Sequence, residues 1–394
     1  MDLERIQHHL RDAGLDGWLF YDFRQSDPLA LRVLGIPADM HTTRRWFYYL
    51  PAQGQPTKIV HRIEAGVLDR LPGEKLVYLR WEELHQALQR TLSNARRIAM
   101  QYSPMCAIPY ISRVDAGTVE LVRSLIPGIE VVSSGDLIQQ FEATCTPEQY
   151  ESHCAAADLL GRLVQETFAE VARRVQQRGE TSEYEIQRFV VEWFERENLV
   201  TDHPPIVAVT ANAANPHYFP TKDRSKPIRK GDLLLLDVWA RLNRPESIFA
   251  DITWMAMVDS TVPEEFSDAF RAVARARDAA VAFIRDRLSQ GQPVRGFEAD
   301  QVARHVIEEA GYGEYFIHRT GHSIHTTTHG NGANLDSLET MDERVLLNRT
   351  CFSVEPGIYI PGKFGVRSEI DVFLWDGEVR VTGPEPQQEI QTIL

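Results

Sequence analysis

Four acidic residues interrupt apolar segments that are otherwise suited to buried β-strands. They are Asp237 in LLLLDVW, Asp251 in IFADIT, Glu355 in FSVEP and Glu369 in VRSEI. Burying an ionised carboxylate is costly unless it is paired or binds a metal ion. Each acid alone could be a helix cap or an edge-strand ion pair, but one shared role explains all four together. The acids therefore predict a buried, carboxylate-rich site.

The midpoints between these acids fall in turn-like segments. Directly opposed residues of an antiparallel pair have numbers with a constant sum, so their midpoint marks the turn. The midpoints are Arg244 for Asp237 with Asp251, and Gly362 for Glu355 with Glu369. We therefore expect each acid to lie directly opposite its partner. Like charges repel strongly in a core, and a divalent cation between them removes the repulsion, so four carboxylates suggest two cations.

A further ligand is expected from the histidine-rich segment that follows. The segment IHRTGHSIH contains His318, His322 and His325, and His329 comes shortly after it. An oxygen-rich site with a single imidazole suits Mn²⁺, Co²⁺ or Zn²⁺. Two metals that share carboxylates about 3.5–4 Å apart form the usual dinuclear arrangement.

The remaining histidines carry weaker signals. His217 follows Ala-Asn-Pro in a loop that leads toward Asp237, and it suits either loop capping or a functional role. We leave His325 unassigned. Seven others are interpreted as packed or surface residues: His8, His9, His61, His85, His153, His203 and His305.

Composition narrows the class of protein. A chain of 394 residues favours two domains. Its net charge of -14 argues against nucleic acid or an anionic membrane as a partner, since both need a cationic surface. The four cysteines form no C-x-x-C pair, which indicates reduced thiols in the cytoplasm. The charged N-terminus and the lack of a long apolar run favour a cytoplasmic protein without a membrane span.

The first 140 residues predict an α/β domain. Strand signals cover 17–21, 46–50, 58–60, 75–79 and 98–101, and helical patterns cover 3–10, 82–92 and 116–125. This part contains neither a phosphate loop nor a cluster of metal-ligand residues.

Residues 146–394 predict a second domain, so the whole chain belongs to the mixed α/β (α+β) class. Helical signals at 147–177 and after the Ser182-x-x-Glu185 capping box precede strands at 206–209, 233–239 and 248–258. Helices at 263–288 and 297–310 then precede strands at 350–354, 357–360, 366–373 and 378–381. Two rounds of helix, helix and strands indicate a pseudo-symmetric half-barrel sheet with outer helices.

These residues resemble the pita-bread metallopeptidases, a family that includes Xaa-Pro dipeptidases (prolidases), Xaa-Pro aminopeptidases and methionine aminopeptidases. The matching segments are LD at Asp237, ADIT at Asp251, HRTGH at His322, SVEPGIY at Glu355 and GVRSE at Glu369. They cover the chain from about residue 150. The domain before them is similar to the creatinase-type domain of Xaa-Pro peptidases, which favours cleavage before proline.

The resemblance implies the following roles. Asp237 and Glu369 would bridge two metals, Asp251 would complete one site, and His322 and Glu355 would complete the other, with Mn²⁺ favoured. A metal-bridging hydroxide would attack the carbonyl before proline while Glu355 handles the proton. Three histidines, His217, His318 and His329, would hold the substrate and its tetrahedral intermediate. Arg367, on the strand face of Glu369, would orient that carboxylate.

The chain departs from the family pattern at four positions close to these residues. Trp239, Ser323 and His325 stand where the family commonly has glycine, and Gly330 stands where an acid often follows the second loop histidine. The predicted metal ligands are unaffected, but substrate size and preference are left open.

Three alternatives to a dipeptidase remain open. The first is an Xaa-Pro aminopeptidase acting on longer peptides. The second is a non-catalytic binding protein with the same fold. The third is a metal-free amidinohydrolase like creatinase, which does not need these carboxylates.

The polar segment 35–45 is an ordinary loop or a dimer element. By resemblance to the commonly dimeric Xaa-Pro peptidases, we expect a homodimer in which this loop lies near the partner's metals. Arg44 or Arg45 would then attract the substrate carboxylate.

Overall fold

The computed structural model describes residues 1–394, and the chain divides into two units, Met1–Glu142 and Ala143–Leu394. No helix in either unit is long and apolar enough to cross a membrane.

The first unit is built on a six-stranded mixed sheet in the order β4-β3-β2-β1-β5-β6. Its strands are β1 Gly17–Asp22, β2 Trp46–Pro51, β3 Thr57–His61, β4 Glu74–Tyr78, β5 Arg97–Met100 and β6 Glu130–Ser133. Its helices are α1 Leu3–Asp12, α2 Pro28–Leu34, α3 Trp81–Leu92, α4 Ala116–Leu125 and α5 Gly135–Glu142, with 3-10 turns at Arg62–Glu64 and Pro104–Cys106.

Both faces of this sheet are covered. Along β1, Trp18 and Phe20 pack into one apolar cluster, while Leu19 and Tyr21 pack into the other. A strand whose side chains are buried on both faces reads as a continuous apolar run. The predicted strands and helices of this unit are confirmed to within two residues.

Three elements of the first unit were missed: α2, β6 and α5. The start of α2 did carry a local signal, because Asp27 caps the helix by accepting a hydrogen bond from the Ala30 amide and Pro28 follows it.

The second unit contains the longest helices and four groups of hydrogen-bonded strands, which are antiparallel except for the pairing of β12 with β19. Its helices are α6 Pro147–Arg178, α7 Glu183–Arg196, α8 Glu264–Ser289 and α9 Gly296–Glu309, with 3-10 turns at Asn212–Ala214 and Gly313–Tyr315. Its first strands are β7 Glu180–Ser182, β8 Leu199–Val200, β9 Ile206–Val209, β10 Pro227–Arg229, β11 Leu233–Leu242 and β12 Ala250–Met257. The later strands are β13 Ser323–Ile324, β14 Thr350–Val354, β15 Gly357–Ile360, β16 Phe364–Arg367, β17 Ile370–Trp375, β18 Glu378–Thr382 and β19 Gln391–Thr392.

The strand order follows the two rounds of elements expected from the sequence. In the first half, β11 pairs with β8, β9 and β12, and β12 also pairs with β19. In the second half, β14 and β17 lie between β13 and β18, while β15 pairs only with β16. A bridge between Thr253 and Glu369 joins the two halves. The predicted mixed α/β (α+β) class with two rounds of helices and strands is therefore confirmed.

Along the hairpin β11–β12, successive side chains alternate between the two faces of the sheet, and this alternation determines which face carries Asp237. Leu234, Leu236 and Val238 pack into the apolar cluster that includes α6 and α7 residues. Leu235 and Trp239 pack into the cluster on the other side of the sheet. Successive strand residues point to opposite faces, so the intervening Asp237 lies on the same face as Leu235 and Trp239.

The turn predicted for one hairpin is confirmed, and the register predicted for the other is wrong. In β15–β16, Gly357 pairs with Arg367, which places the midpoint at Gly362 as predicted. In β11–β12, however, Asp237 lies opposite Thr253, and Asp251 lies opposite Trp239. The connection 243–249 is long, so the position of its most turn-like residue does not fix the register of the two strands.

The predicted single strand 366–373 is also wrong in one respect. It is two strands, because the chain leaves its pairing with β15 after Arg367 and pairs with β14 from Ile370 onward. Ser368 and Glu369 occupy the break, which allows the Glu369 backbone to bridge to Thr253.

Candidate metal centre

Asp237 and Asp251 enter the site from the central hairpin. Both are almost fully buried, at 6% and 4% exposure. Since their directly opposed partners are displaced by two residues, the two acids are diagonal neighbours on one face of the sheet. Asp237 Oδ1 and Asp251 Oδ1 are buried and have no hydrogen-bond partner.

Glu355 and Glu369 enter from the two places where the second half changes its strand pairing. Glu355 follows β14, and Glu369 precedes β17. Ser353 Oγ donates to Glu355 Oε1 at 3.3 Å, and Thr253 Oγ1 donates to Glu369 Oε2 at 2.7 Å. Both carboxylates thus have a neutral donor that limits their orientation.

His322 is positioned by close backbone packing. A Cβ on the preceding Gly321 would lie 1.9 Å from the Ser353 carbonyl oxygen, so only glycine allows this approach. Asp300 of α9 accepts from the Thr320 amide at 2.9 Å and from its hydroxyl at 2.6 Å. The His322 amide donates to Ser353 Oγ at 3.0 Å.

The structure brings these side chains together around one small volume. Ligand atoms of Asp251, His322 and Glu369 all lie within 4.8 Å of one another. His322 Nε2 lies 3.7 Å from Asp251 Oδ2 and 3.5 Å from Glu355 Oε1. Asp237 is close enough for its charge to raise the pKa of Asp251, Glu355 and Glu369.

The electrostatics of the group favour a bound cation. Burial raises the pKa of Glu355 to about 7, and it raises the pKa of Asp251 and of Glu369 well above the ordinary range. Repulsion from neighbouring carboxylates adds to the shift for Asp251 and Glu369. Burial likewise lowers the pKa of His322, which leaves the imidazole neutral and able to act as a ligand.

Arg367 neutralises one acid of the group. Its Nη2 donates to Asp237 Oδ2, its Nε donates to Thr253 Oγ1 at 2.9 Å, and its Nη1 lies 3.4 Å from the Tyr359 hydroxyl. The expected contact with Glu369 is replaced by this contact with Asp237, and Arg367 reaches Glu369 only through Thr253. The reason is that Thr253 lies directly between the two halves of the sheet.

The donor set fits divalent metal ions. It combines four carboxylates with one neutral imidazole, and two of the carboxylate oxygens are buried without a partner. A single arginine cannot balance four buried acids. Oxygen-rich sites with one nitrogen suit divalent ions such as Mn²⁺, Co²⁺ or Zn²⁺.

His318 is joined to Asp237 by a chain of hydrogen bonds through Tyr359 and Arg367. Its Nδ1 lies 2.6 Å from the Arg319 carbonyl and must donate to it, so Nε2 accepts from the Tyr359 hydroxyl at 2.7 Å. Desolvation lowers the pKa of His318 to about 3, so the ring is neutral at physiological pH.

The other two predicted histidines lie at the solvent side. His217 is exposed in the loop after Asn212–Ala214, and a charge on it would still lower the pKa of Asp237. His329 is also exposed, and its ring lies 4.3 Å from the His322 ring. Both histidines are therefore near the acids without joining the buried group.

We call the segment 318–332 the histidine loop. Two of its residues that depart from the family pattern, Ser323 and Gly330, lie close together. The Gly332 amide donates to Ser323 Oγ at 3.0 Å. A Cβ on Gly330 would lie 2.8 Å from that same oxygen. The serine hydroxyl therefore occupies the space that a side chain at position 330 would need.

Three supporting residues were missed in the sequence: Thr253, Tyr359 and Asp371. Asp371 is fully buried, and its Oδ2 accepts from the Asp251 amide at 2.8 Å. Two of them could have been found from their spacing. Thr253 follows Asp251 by two residues, and Asp371 follows Glu369 by two residues. In a continuous strand this spacing places each residue on the same face as the ligand before it.

Comparison with known proteins gives concordant results. Residues 155–375 match metallopeptidase family M24. The chain is 35% identical over 164 residues to an Xaa-Pro dipeptidase of Lactobacillus helveticus, covering 42% of this chain and 40% of that protein. It is 29% identical over 251 residues to an Xaa-Pro dipeptidase of Pyrococcus furiosus, covering 64% of this chain and 66% of that protein.

Solved structures share the fold over the full length. The dipeptidase PepE of Mycobacterium ulcerans has a TM-score of 0.71 at 21% identity, covering 99% of this chain and 96% of that one. A recombinant prolidase of Thermococcus sibiricus has a TM-score of 0.65 at 23% identity, covering 100% and 99%.

Proposed function

The chain belongs to metallopeptidase family M24, and from that premise we propose that it is an Xaa-Pro dipeptidase that depends on two divalent metal ions. Asp237, Asp251, His322, Glu355 and Glu369 would hold the ions, with Mn²⁺ favoured. The observation that carries the proposal is the group of buried carboxylates around one imidazole, with two carboxylate oxygens left without a hydrogen-bond partner.

Relatives support the substrate class. The proteins of L. helveticus and P. furiosus are Xaa-Pro dipeptidases, and the chain aligns with 40% and 66% of their lengths. The family match, residues 155–375, spans the four acids and His322.

The residues of the site divide the chemistry between them. When bound, divalent ions would polarise the scissile carbonyl and supply a water of lowered pKa. Glu355, with 12% of its side chain exposed and a pKa near 7, would accept a proton and pass it to the leaving proline nitrogen.

The histidines and the arginine would act on the substrate and on the acids. His217 and His329 lie on the solvent side, where they would donate to the peptide as negative charge develops on its oxygen. Neutral His318 carries its only proton on Nδ1, so its Nε2 could donate to the substrate only after that atom gains a proton. Arg367 would hold Asp237 in a fixed orientation.

We further propose a cytoplasmic homodimer. All four cysteines are free thiols, which suits a reducing compartment. In the segment 35–45, the Thr43 and Arg44 amides donate to Glu64 at 2.9 and 3.0 Å, while the Arg44 side chain is exposed. An exposed arginine on a loop held by these hydrogen bonds suits recognition of the carboxylate of a substrate bound to the partner subunit.

The experiment is hydrolysis by metal-stripped protein resupplied with Mn²⁺, Co²⁺ or Zn²⁺. The substrates are Ala-Pro, Ala-Pro-Ala and the control Ala-Ala. We expect cleavage of Ala-Pro that requires added metal and exceeds that of Ala-Ala. Faster cleavage of Ala-Pro-Ala would instead assign an Xaa-Pro aminopeptidase, and no cleavage by protein that binds metal would overturn the peptidase proposal.

A further inference from the structure

Trp239 lies immediately beside one of the site acids. It is directly opposite Asp251 in the central hairpin, and it follows Asp237 by two residues on the same strand face. Directly opposed side chains in an antiparallel pair have Cβ atoms about 4.5–5.5 Å apart. The indole therefore begins next to the Asp251 carboxylate, yet none of the chemistry above uses it.

The indole is held in one position from both ends. It is 8% exposed and packs in an apolar cluster with Ile248 and Phe249. Its Nε1 donates to Asp202 Oδ1 at 2.7 Å. The ring therefore extends from the hairpin toward the loop 201–205, and it cannot turn without losing this hydrogen bond.

Asp202 also ties the indole to the histidine loop. Its second oxygen, Oδ2, accepts from Thr328 Oγ1 at 3.2 Å. Thr328 directly precedes His329, whose ring lies 4.3 Å from that of His322. We refer to Trp239, Asp202 and Thr328 as the indole clamp. The clamp spans one flank of the site, from Asp251 to His329.

We propose that Trp239, held by the indole clamp, is a specificity-determining residue that limits the bulk of the residue before proline. The inference rests on the proposed Xaa-Pro dipeptidase activity. The scissile carbonyl belongs to the residue before proline, so a substrate with this carbonyl between Asp251 and His322 would place the side chain of that residue against this flank. Proline is constant in such substrates, so a rigid wall acts as a size limit on the variable residue.

The test compares hydrolysis of Gly-Pro, Ala-Pro, Leu-Pro and Phe-Pro by wild type and variants. In Trp239→Ala, we expect the kcat/KM ratio of Phe-Pro to Gly-Pro to rise about ten-fold or more, since pocket volume sets selectivity of this size. In Trp239→Phe and in Asp202→Ala, an aromatic ring stays at the flank but loses its hydrogen bond to position 202. We therefore expect their kcat/KM ratios of Phe-Pro to Gly-Pro to rise about three-fold.

The matched control is Trp254→Ala. Trp254 lies in the same hairpin opposite Leu236 and packs on the other face of the sheet. We expect its kcat/KM ratio of Phe-Pro to Gly-Pro to stay at the wild-type value. Binding of the corresponding reduced-amide dipeptides, measured by calorimetry, gives a second readout that does not need turnover.

The outcomes separate this inference from the proposed function. If wild type cleaves Xaa-Pro dipeptides and every variant changes all four substrates by the same factor, Trp239 does not set Xaa specificity and the inference is overturned. If wild type cleaves no Xaa-Pro dipeptide, the proposed function fails and this inference fails with it. Should Trp239→Ala not fold, Trp239→Phe and Asp202→Ala decide the question.

Discussion

Glu355 combines two properties that no other acid of the site shows together. It remains 12% exposed, and its pKa is near 7 because burial opposes its charge. Such a carboxyl group can bind a cation as the anion and can exchange a proton near neutral pH. At the scale of single residues, the proposed chemistry therefore depends most on Glu355.

We expect Glu355→Gln to lower kcat about 10³-fold, because the amide can neither carry a proton nor supply a ligand charge. His329→Ala should lose less, since the acids remain. Steady-state kinetics on Ala-Pro, with circular dichroism to check folding, measures both. Glu378→Gln, a change at an exposed glutamate, is the control. Wild-type turnover in Glu355→Gln would rule out its assigned role.

Thr253 is a second residue whose role is open to test. Its hydroxyl donates to Glu369 and accepts from Arg367, so it links the two halves of the sheet at the acids. We expect the isosteric change Thr253→Val to weaken metal affinity about 10-fold or more, because supporting hydrogen bonds orient ligands. Thr253→Ser keeps the hydroxyl and should retain most of the wild-type metal affinity. Calorimetric titration with Mn²⁺ measures the affinities, and equal affinity in Thr253→Val would show that the link is dispensable.

At the scale of elements, the histidine loop depends on one close backbone contact. A Cβ at Gly321 would lie 1.9 Å from the Ser353 carbonyl, so the loop and β14 cannot both keep their positions if a side chain is present. Because Ser353 also orients Glu355 and the His322 amide, the displacement would spread to both residues.

We therefore expect Gly321→Ala to destabilise the protein by about 3 kcal/mol, at the upper end of overpacking effects. Denaturant unfolding measures the free energy. The control is Gly66→Ala, because a Cβ at Gly66 would meet only the Asp69 carboxylate, at 3.6 Å. A Gly321→Ala protein as stable as the control would contradict the close contact.

At the scale of the whole molecule, the buried acids link stability to pH and metal. Their folded-state pKa values are raised above the unfolded value of about 4. Between these values the native state binds more protons than the unfolded state, so stability falls as pH rises. Burial lowers the pKa of His318 to about 3 and of His153 to about 4, so their contributions change only below about pH 6.5.

We expect the melting temperature of metal-stripped protein to fall between about pH 6.5 and 8. Added Mn²⁺ should offset this fall, since it binds the deprotonated carboxylates and stabilises the native state. Calorimetric melting with and without metal measures both trends. A stripped protein whose stability rises across this pH range would refute the linkage.

The sequence by itself determined the elements that carry the site and the residue types at its centre. Alternation, caps and turns are local, so the ends of β14, the start of α6 at Pro147 and the turn at Gly362 could be predicted. Acids within apolar strands were conspicuous because burial of charge is costly wherever the strand lies.

Only the tertiary structure decided how these parts meet. The register of β11 with β12 differs by two residues from the predicted one, because a long connection leaves several registers open. The contact of Arg367 with Asp237, the bridge from Thr253 to Glu369 and the clamp on Trp239 join residues far apart in the chain. Such contacts depend on how the two halves of the sheet pack, and local sequence patterns do not encode that packing.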